Sequence, residues 1–273
     1  MSLETMVRFA IIATEKDTAS KNIGKKIAEL GRFEKSGEKS YPTYKLGNDI
    51  LVWYPEDLVF ATDLSNHYDP ECFVFVFRHK AENPKPMLTV HATGNLNSEP
   101  MRAGDPYELG ICHPAFMFKV LTGLKKYAPE GYSISYEATH HSPTNLTKPL
   151  MFVEVGSSED QWNDSKAVEA VAKAILDLLE NPKVECTSCI GLGGGHYADR
   201  FTRRAFEENY AFGHIIPSYE FGKTKPEVIQ QAIDKTIGIQ KAVLDKRSQG
   251  SEEERNTILG VMEKNQIEVI KLK

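Results

Sequence analysis

Residues 7–30, VRFAIIATEKDTASKNIGKKIAEL, decide the fold. VRFAIIAT is a strand-length apolar run, and from about Thr18 to Leu30 the apolar residues recur at helical spacing. Asp17 or Thr18 is available to cap the exposed amides of that helix. A strand followed at once by an amphipathic helix opens an α/β chain, and the rhythm continues outward from it. CFVFVFRH (72–79), MLTVH (87–91), YSISYEATHH (132–141) and LMFVEVG (150–156) read as strands. Helices are predicted over 114–127 and over 165–180, the latter capped by Asp164 and ended by Pro182. CTSCIGLGGGH (186–196), a helix through Asp199 to Asn209, a strand HIIPSYEF, two or three further helices and a final strand IEVIKL complete the order. ILVWY (50–54) and LVFAT (58–62), separated only by Pro55, Glu56 and Asp57, read as an antiparallel hairpin. The expected fold class is therefore α/β: a mostly parallel or mixed central sheet with helices on both faces, spanning residues 6–273 as one domain, with room for two lobes sharing the sheet.

Composition narrows the class. The chain has 273 residues, 41% hydrophobic and 26% charged, which is ordinary for a folded protein with a substantial core. The start lacks a basic region followed by an apolar stretch, and no run approaches the roughly 20 apolar residues that span a bilayer. The expectation is a cytoplasmic protein with no membrane partner. Met1 to Thr5 precede a second methionine, Met6, and are expected to be an unstructured or appended start. Four scattered cysteines do not make a disulfide framework; Cys186 and Cys189 form C-x-x-C without a second pair at zinc-ribbon spacing and read as structural. The formal charge of −5 gives no global attraction to polyanions, so a nucleic-acid partner needs a local basic patch. The polar stretch from Ser248 to Glu254 reads as a solvated turn.

Ligands of open α/β sheets bind beyond the carboxyl ends of strands. His79 and His91 close predicted strands, His140 and His141 close another, Glu154 stands near the end of LMFVEVG, and His196 follows the glycine run. A lone histidine is most often a satisfied core or surface imidazole; recurrence at strand ends points to metal ligands or acid–base groups. Adjacent residues of an extended chain face opposite ways, so one of His140 and His141 is expected in the site unless the turn before Pro143 bends both inward. Glu154 interrupts an apolar strand and needs an ion pair or a metal. In IGLGGGHYADRFTRR, Gly193, Gly194 and Gly195 allow close approach of a ligand, and the helix that follows presents amides to an anion. Arg200, Arg203 and Arg204 share a helical face suited to phosphates, though a solvated face paired with Glu207 and Glu208 is the plainer reading. Gly193, Gly195 and Ala198, with Glu220 about 20 residues on, also fit a relaxed dinucleotide fingerprint, which keeps an NAD(P)-dependent oxidoreductase open as a rival. A non-catalytic RNA-binding protein is the third class. There is no G-x-S-x-G elbow and no H-E-x-x-H.

Read together, HHSPT (140–144), FVEVGSSEDQW (152–162), GLGGGHYA (191–198) and GHIIPSY (213–219) closely resemble the archaeal and plant type of D-aminoacyl-tRNA deacylase, in order along essentially the whole chain from Met6. The resemblance implies a phosphorylase/hydrolase or peptidyl-tRNA hydrolase-like fold. It implies a monomeric, zinc-dependent enzyme that hydrolyses the ester of a D-amino acid to the terminal ribose of tRNA and needs no protein partner. On that basis Zn2+ is expected on some of His91, His140, His141, His196 and Glu154, lowering the pKa of a bound water toward about 7. His196 and Glu154 are the expected catalytic groups, with Asp199 or His214 shuttling protons. Gly193, Gly194, Gly195, Arg200, Arg203 and Arg204, with Lys125 and Lys126, are expected to hold tRNA.

Overall fold

The structure is a computed structural model that describes residues 7–36, 40–100, 103–247 and 250–272. The first five residues and part of the stretch from Ser248 lie outside the described residues. The chain runs β1 (Phe9–Thr14), α1 (Thr18–Gly31), β2 (Glu34–Ser36), β3 (Thr43–Leu46), β4 (Asp49–Tyr54), β5 (Cys72–Arg78), β6 (Met87–His91), α2 (Pro114–Tyr127), β7 (Ser133–Tyr136), β8 (Leu150–Gly156), α3 (Glu159–Trp162) and α4 (Ser165–Glu180). It continues with β9 (Thr187–Leu192), α5 (Asp199–Glu208), β10 (Tyr210–Ile216), α6 (Pro226–Asp234), β11 (Lys241–Asp245), α7 (Glu252–Lys264) and β12 (Glu268–Leu272). The class is α/β, as the opening strand and helix predicted. Asp17 caps α1 by accepting from the Ser20 amide, and Asp164 caps α4 by accepting from Lys166 and Ala167.

An eight-stranded sheet has the order β2-β3-β4-β1-β5-β8-β6-β7, and a four-stranded sheet the order β10-β9-β11-β12. The small sheet is parallel throughout, with α5 against one face and α6 and α7 against the other. In the large sheet β4, β1, β5 and β8 are parallel, and β6 runs antiparallel to β8. That reversal matters for the site. Period-two alternation puts Val74, Val76, Leu88, Val90, Tyr136, Val153 and Val155 on the face covered by α1, α2 and α4. The opposite face carries Phe73, Phe75, Phe77 and Phe152, and loop residues such as Leu58, Val59, Leu64 and Leu146 cover it instead of a helix.

Three expectations change. LVFAT is no strand: Leu58–Phe60 is a 3-10 turn whose N-cap, Asp57, accepts from Val59, and β4 pairs in parallel with β1. Leu58 and Val59 are fully buried against the phenylalanine face, each worth about 1.5–3 kcal/mol, which outweighs the β preference of the segment. HIIPSYEF ends as a strand at Ile216, because Pro217 supplies no amide to continue the ladder; Ser218–Glu220 is a 3-10 turn. KAVLD, within a region read as helical, is β11. The described part of the polar stretch enters α7, with Ser251 and Glu254 forming a capping box. No helix among the described residues is long and apolar enough to cross a membrane.

Candidate active site and metal centre

The residues of the centre are set by strand parity. His79 continues the Phe75, Phe77 face just beyond β5; Glu154 follows Phe152 on β8; His91 is two residues past Thr89 on β6; Glu137 is two past Ser135, just beyond β7. All four side chains therefore rise from the face that no helix covers. Each stands at or near the carboxyl end of its strand, as expected, but the strands do not all point one way: β6 ends at the level of Phe152 on antiparallel β8, so the ends of β5 and β6 approach from opposite directions across the sheet face. Gly156 permits the arrangement, because a Cβ there would stand 2.6 Å from both Cβ and O of His79.

Glu154 sits at the middle. His91 Nε2 is 3.3 Å and His141 Nε2 3.9 Å from its Oε1, and His79 Nδ1 is 3.5 Å from its Oε2. Glu137 is the second buried carboxylate. His196 Nε2 stands 2.7 Å and His140 Nε2 3.8 Å from its Oε2, with His79 Nδ1 3.2 Å from its Oε1. Burial alone would raise both carboxyls, but the surrounding imidazoles outweigh it and hold both well below the usual carboxylate range. Burial likewise opposes protonation of His79, yet its contacts with Glu137 and Glu154 push it up to about 12. Burial and the neighbouring rings drive His140 well below its ordinary value.

Both His140 and His141 face the centre. His141 adopts φ 43°, a left-handed conformation that turns the chain and defeats the alternation of an extended segment. Three imidazoles also share one tautomer. Nδ1 of His91 lies 3.1 Å from Ala92 O, Nδ1 of His140 2.8 Å from Ala138 O, and Nδ1 of His141 2.8 Å from Ser142 O. A carbonyl oxygen only accepts, so each Nδ1 carries a proton, and each ring is thereby oriented with Nε2 toward the centre. Ligand atoms of His91, His140 and His141 lie within 4.8 Å of one another, as do those of His79, Glu137 and His196. The donor set fits a cation on a second ground: neither oxygen of buried Glu137 makes an aligned hydrogen bond, although imidazole nitrogens stand at hydrogen-bond distance.

The other predicted residues divide. Gly193 and Gly194 turn the chain at φ 109° and 75°, values that favour glycine, whereas a Cβ at Gly195 would meet open space. Their turn delivers His196, the most exposed imidazole of the centre at 32%. Asp199 begins α5 and borders a groove with Lys125, Thr202 and Arg203, away from the imidazoles. His214 is no shuttle: its Nε2 lies 3.0 Å from Gly110 O, its Nδ1 3.1 Å from Thr139 Oγ1, and burial lowers it to about 4. The arginines do not form one free face. Arg200 pairs with buried Asp245 and Arg204 with Glu208, leaving Arg203 exposed beside Lys125, while Lys126 pairs with Asp177. Glu220, the acidic partner in the dinucleotide reading, accepts from Asn97 Nδ2 at 2.7 Å, and the same turn commits His196 to Glu137. Cys186 and Cys189 are free thiols, Cys189 buried.

Sequence reasoning missed Glu137 and Tyr197. Glu137 precedes His140 by three residues in YEATHH, and a carboxylate ending a strand beside two histidines was the available signal. Tyr197, whose hydroxyl lies 2.7 Å from His79 Nε2, gave none.

Fold and site together define an α/β enzyme built around a buried histidine–carboxylate centre. The profile of the D-aminoacyl-tRNA deacylase family matches residues 66–270, and the chain belongs to that family. A D-aminoacyl-tRNA deacylase of Staphylothermus marinus is 35% identical over 257 residues, covering 90% of this chain and 93% of the relative. One of Methanocaldococcus jannaschii is 33% identical over 264 residues, covering 92% and 95%. One of Methanocorpusculum labreanum, 36% identical, is longer: the match covers 89% of this chain and 54% of it. The crystal structure of a conserved protein of unknown function superposes with a TM-score of 0.90 at 27% identity, covering 97% of this chain and 95% of that one.

Proposed function

We propose that this protein hydrolyses the ester linking a D-amino acid to the terminal ribose of tRNA, using zinc held in the histidine–carboxylate centre. The observation that carries the reading is the convergence of His91, His140 and His141, whose ligand atoms lie within 4.8 Å of one another and whose rings are each oriented by an Nδ1 contact to a backbone carbonyl, beside Glu154. His79, Glu137 and His196 form a second set able to hold an ion. Zinc in such a donor set supplies Lewis acidity and makes water acidic enough to act as a nucleophile near neutral pH.

The chain's own residues do the rest. Glu154 stands among His91, His141 and His79 at one buried position, and Glu137 lies 2.7 Å from His196. With no ion on the second set, His196, a third exposed on the glycine turn, is placed to pass a proton to the departing ribose oxygen. Open space at Gly195 admits the ester beside it. Arg203 and Lys125 are offered as phosphate contacts. A cytoplasmic monomer that needs no protein partner is part of the same proposal.

The test compares release of D-tyrosine and L-tyrosine from the matching tyrosyl-tRNAs by wild type and by His91→Ala. The expected result is hydrolysis of the D substrate alone, lost in the variant. Equal rates in variant and wild type would remove this cluster from the chemistry.

A further inference from the structure

Among the described residues, four large hydrophobic side chains are more than a third exposed: Leu30, Phe60, Tyr219 and Ile237. Single exposed hydrophobic side chains are ordinary, so position and not exposure singles one out. Tyr219, 51% exposed, lines a small cavity together with Thr139, His140 and His141. Phe60 is as exposed but does not line that cavity.

The turn that carries the ring is held in place. The ring sits on the Ser218–Glu220 turn, where the Ser218 amide and hydroxyl both donate to Gly194 O, at 3.0 and 2.9 Å. Glu220 is anchored by Asn97, and its carbonyl accepts from the Lys223 and Thr224 amides and from the Thr224 hydroxyl. Tyr219 is thus tied to the glycine turn that delivers His196. The cavity itself, about 60 Å³, is too small for a heterocycle, so a planar partner would lie across its mouth against the exposed ring.

Resting on the function proposed above, we infer that Tyr219 is the stacking platform for the terminal adenine base of the tRNA. An ester on the last ribose places that base within one nucleotide of the scissile bond. The end is single-stranded, so the face of the base is available, and aromatic side chains recognise single-stranded ends by stacking. The adenine is the same on every tRNA while the esterified amino acid varies, and one ring on an anchored turn suits the constant partner. Tyr219 is here a positioning and binding residue with no part in bond breaking.

The experiment is a cycle of binding measurements on the protein as purified, using an RNA minihelix that ends in CCA and the same minihelix ending in an abasic nucleotide. Removal of the base is expected to weaken wild-type binding roughly tenfold or more. It is expected to leave binding by Tyr219→Ala unchanged, while Tyr219→Phe and Tyr219→Trp behave as wild type. In turnover, Tyr219→Ala is expected to raise KM for D-tyrosyl-tRNA with kcat held within about twofold, and to leave hydrolysis of D-tyrosine ethyl ester, which lacks a base, as it was. Equal base dependence in wild type and Tyr219→Ala overturns the inference, as does failure of Tyr219→Phe to retain it. Absence of wild-type turnover on D-tyrosyl-tRNA counts against the deacylase reading instead, and the binding cycle still decides the role of Tyr219.

Discussion

Gly156→Ala is the perturbation whose effect follows most directly from geometry. The new Cβ would lie 2.6 Å from His79 Cβ and 2.6 Å from His79 O, and 3.0 Å from His79 C. Two of those neighbours are backbone, and His79 N is bound to Val155 O at 3.0 Å, so neither strand end can yield cheaply. Relief requires a shift approaching an ångström, and overpacking of this kind costs about 1–3 kcal/mol. In a chain of this size that corresponds to a fall of roughly 2–10 °C in Tm. Any shift of His79 also breaks its 3.2 and 3.5 Å approaches to Glu137 and Glu154, so metal retained by the His79 set should fall with it. The assays are calorimetric melting and elemental analysis of the dialysed protein. Gly260→Ala is the control: a Cβ there meets nothing within 4 Å, and replacing glycine inside α7 should stabilise by about 0.5–1 kcal/mol without touching metal content. Unchanged Tm and metal in Gly156→Ala would refute the claim that His79 is wedged against β8.

Acid stability should depend on His214, whose folded pKa of about 4 lies below the unfolded value near 6.5. A depressed pKa means the neutral form is favoured by folding, so this stability is complete above about pH 6.5 and is lost as pH falls toward 4. The difference is roughly 3 kcal/mol. A His214→Asn variant should show a shallower loss of stability across that window in urea titrations, and an unaltered slope would contradict the assignment. Arg200→Ala should cost about 2–4 kcal/mol of stability through stranded Asp245 and leave the salt dependence of tRNA binding alone. Arg203→Glu should do the opposite, weakening tRNA binding and reducing its salt slope by about one unit; equal behaviour of the two variants would overturn the division of the arginine face.

The residues that made the site legible were those that violate a local pattern. Glu154 was conspicuous as a charge inside an apolar strand, and the recurrence of histidines near strand ends pointed to a joint centre. What sequence periodicity could not supply was strand direction, because β6 reads identically whether parallel or antiparallel to β8. The consequence is a site that gathers strand ends of opposite direction over a sheet face rather than along one edge. Glu137 lies one residue past the end of β7 at Tyr136, so no strand pattern marks it as facing the centre. His141 was hidden by a positive φ that no propensity signals. Arg200 shows the same limit in another form, since helical spacing places it with Arg203 and Arg204 while Asp245, 45 residues away, decides where it goes. The turn at Leu58 was misread because burial against phenylalanines of distant strands overrode local preference.

Metal content measured together with activity tests the central claim most directly. Wild type, dialysed against chelator, should lose zinc and D-tyrosyl-tRNA hydrolysis in parallel and regain both when zinc is returned, whereas His140→Ala should stay depleted and inactive with its melting transition intact. Full hydrolysis by protein shown to contain no metal would contradict the account.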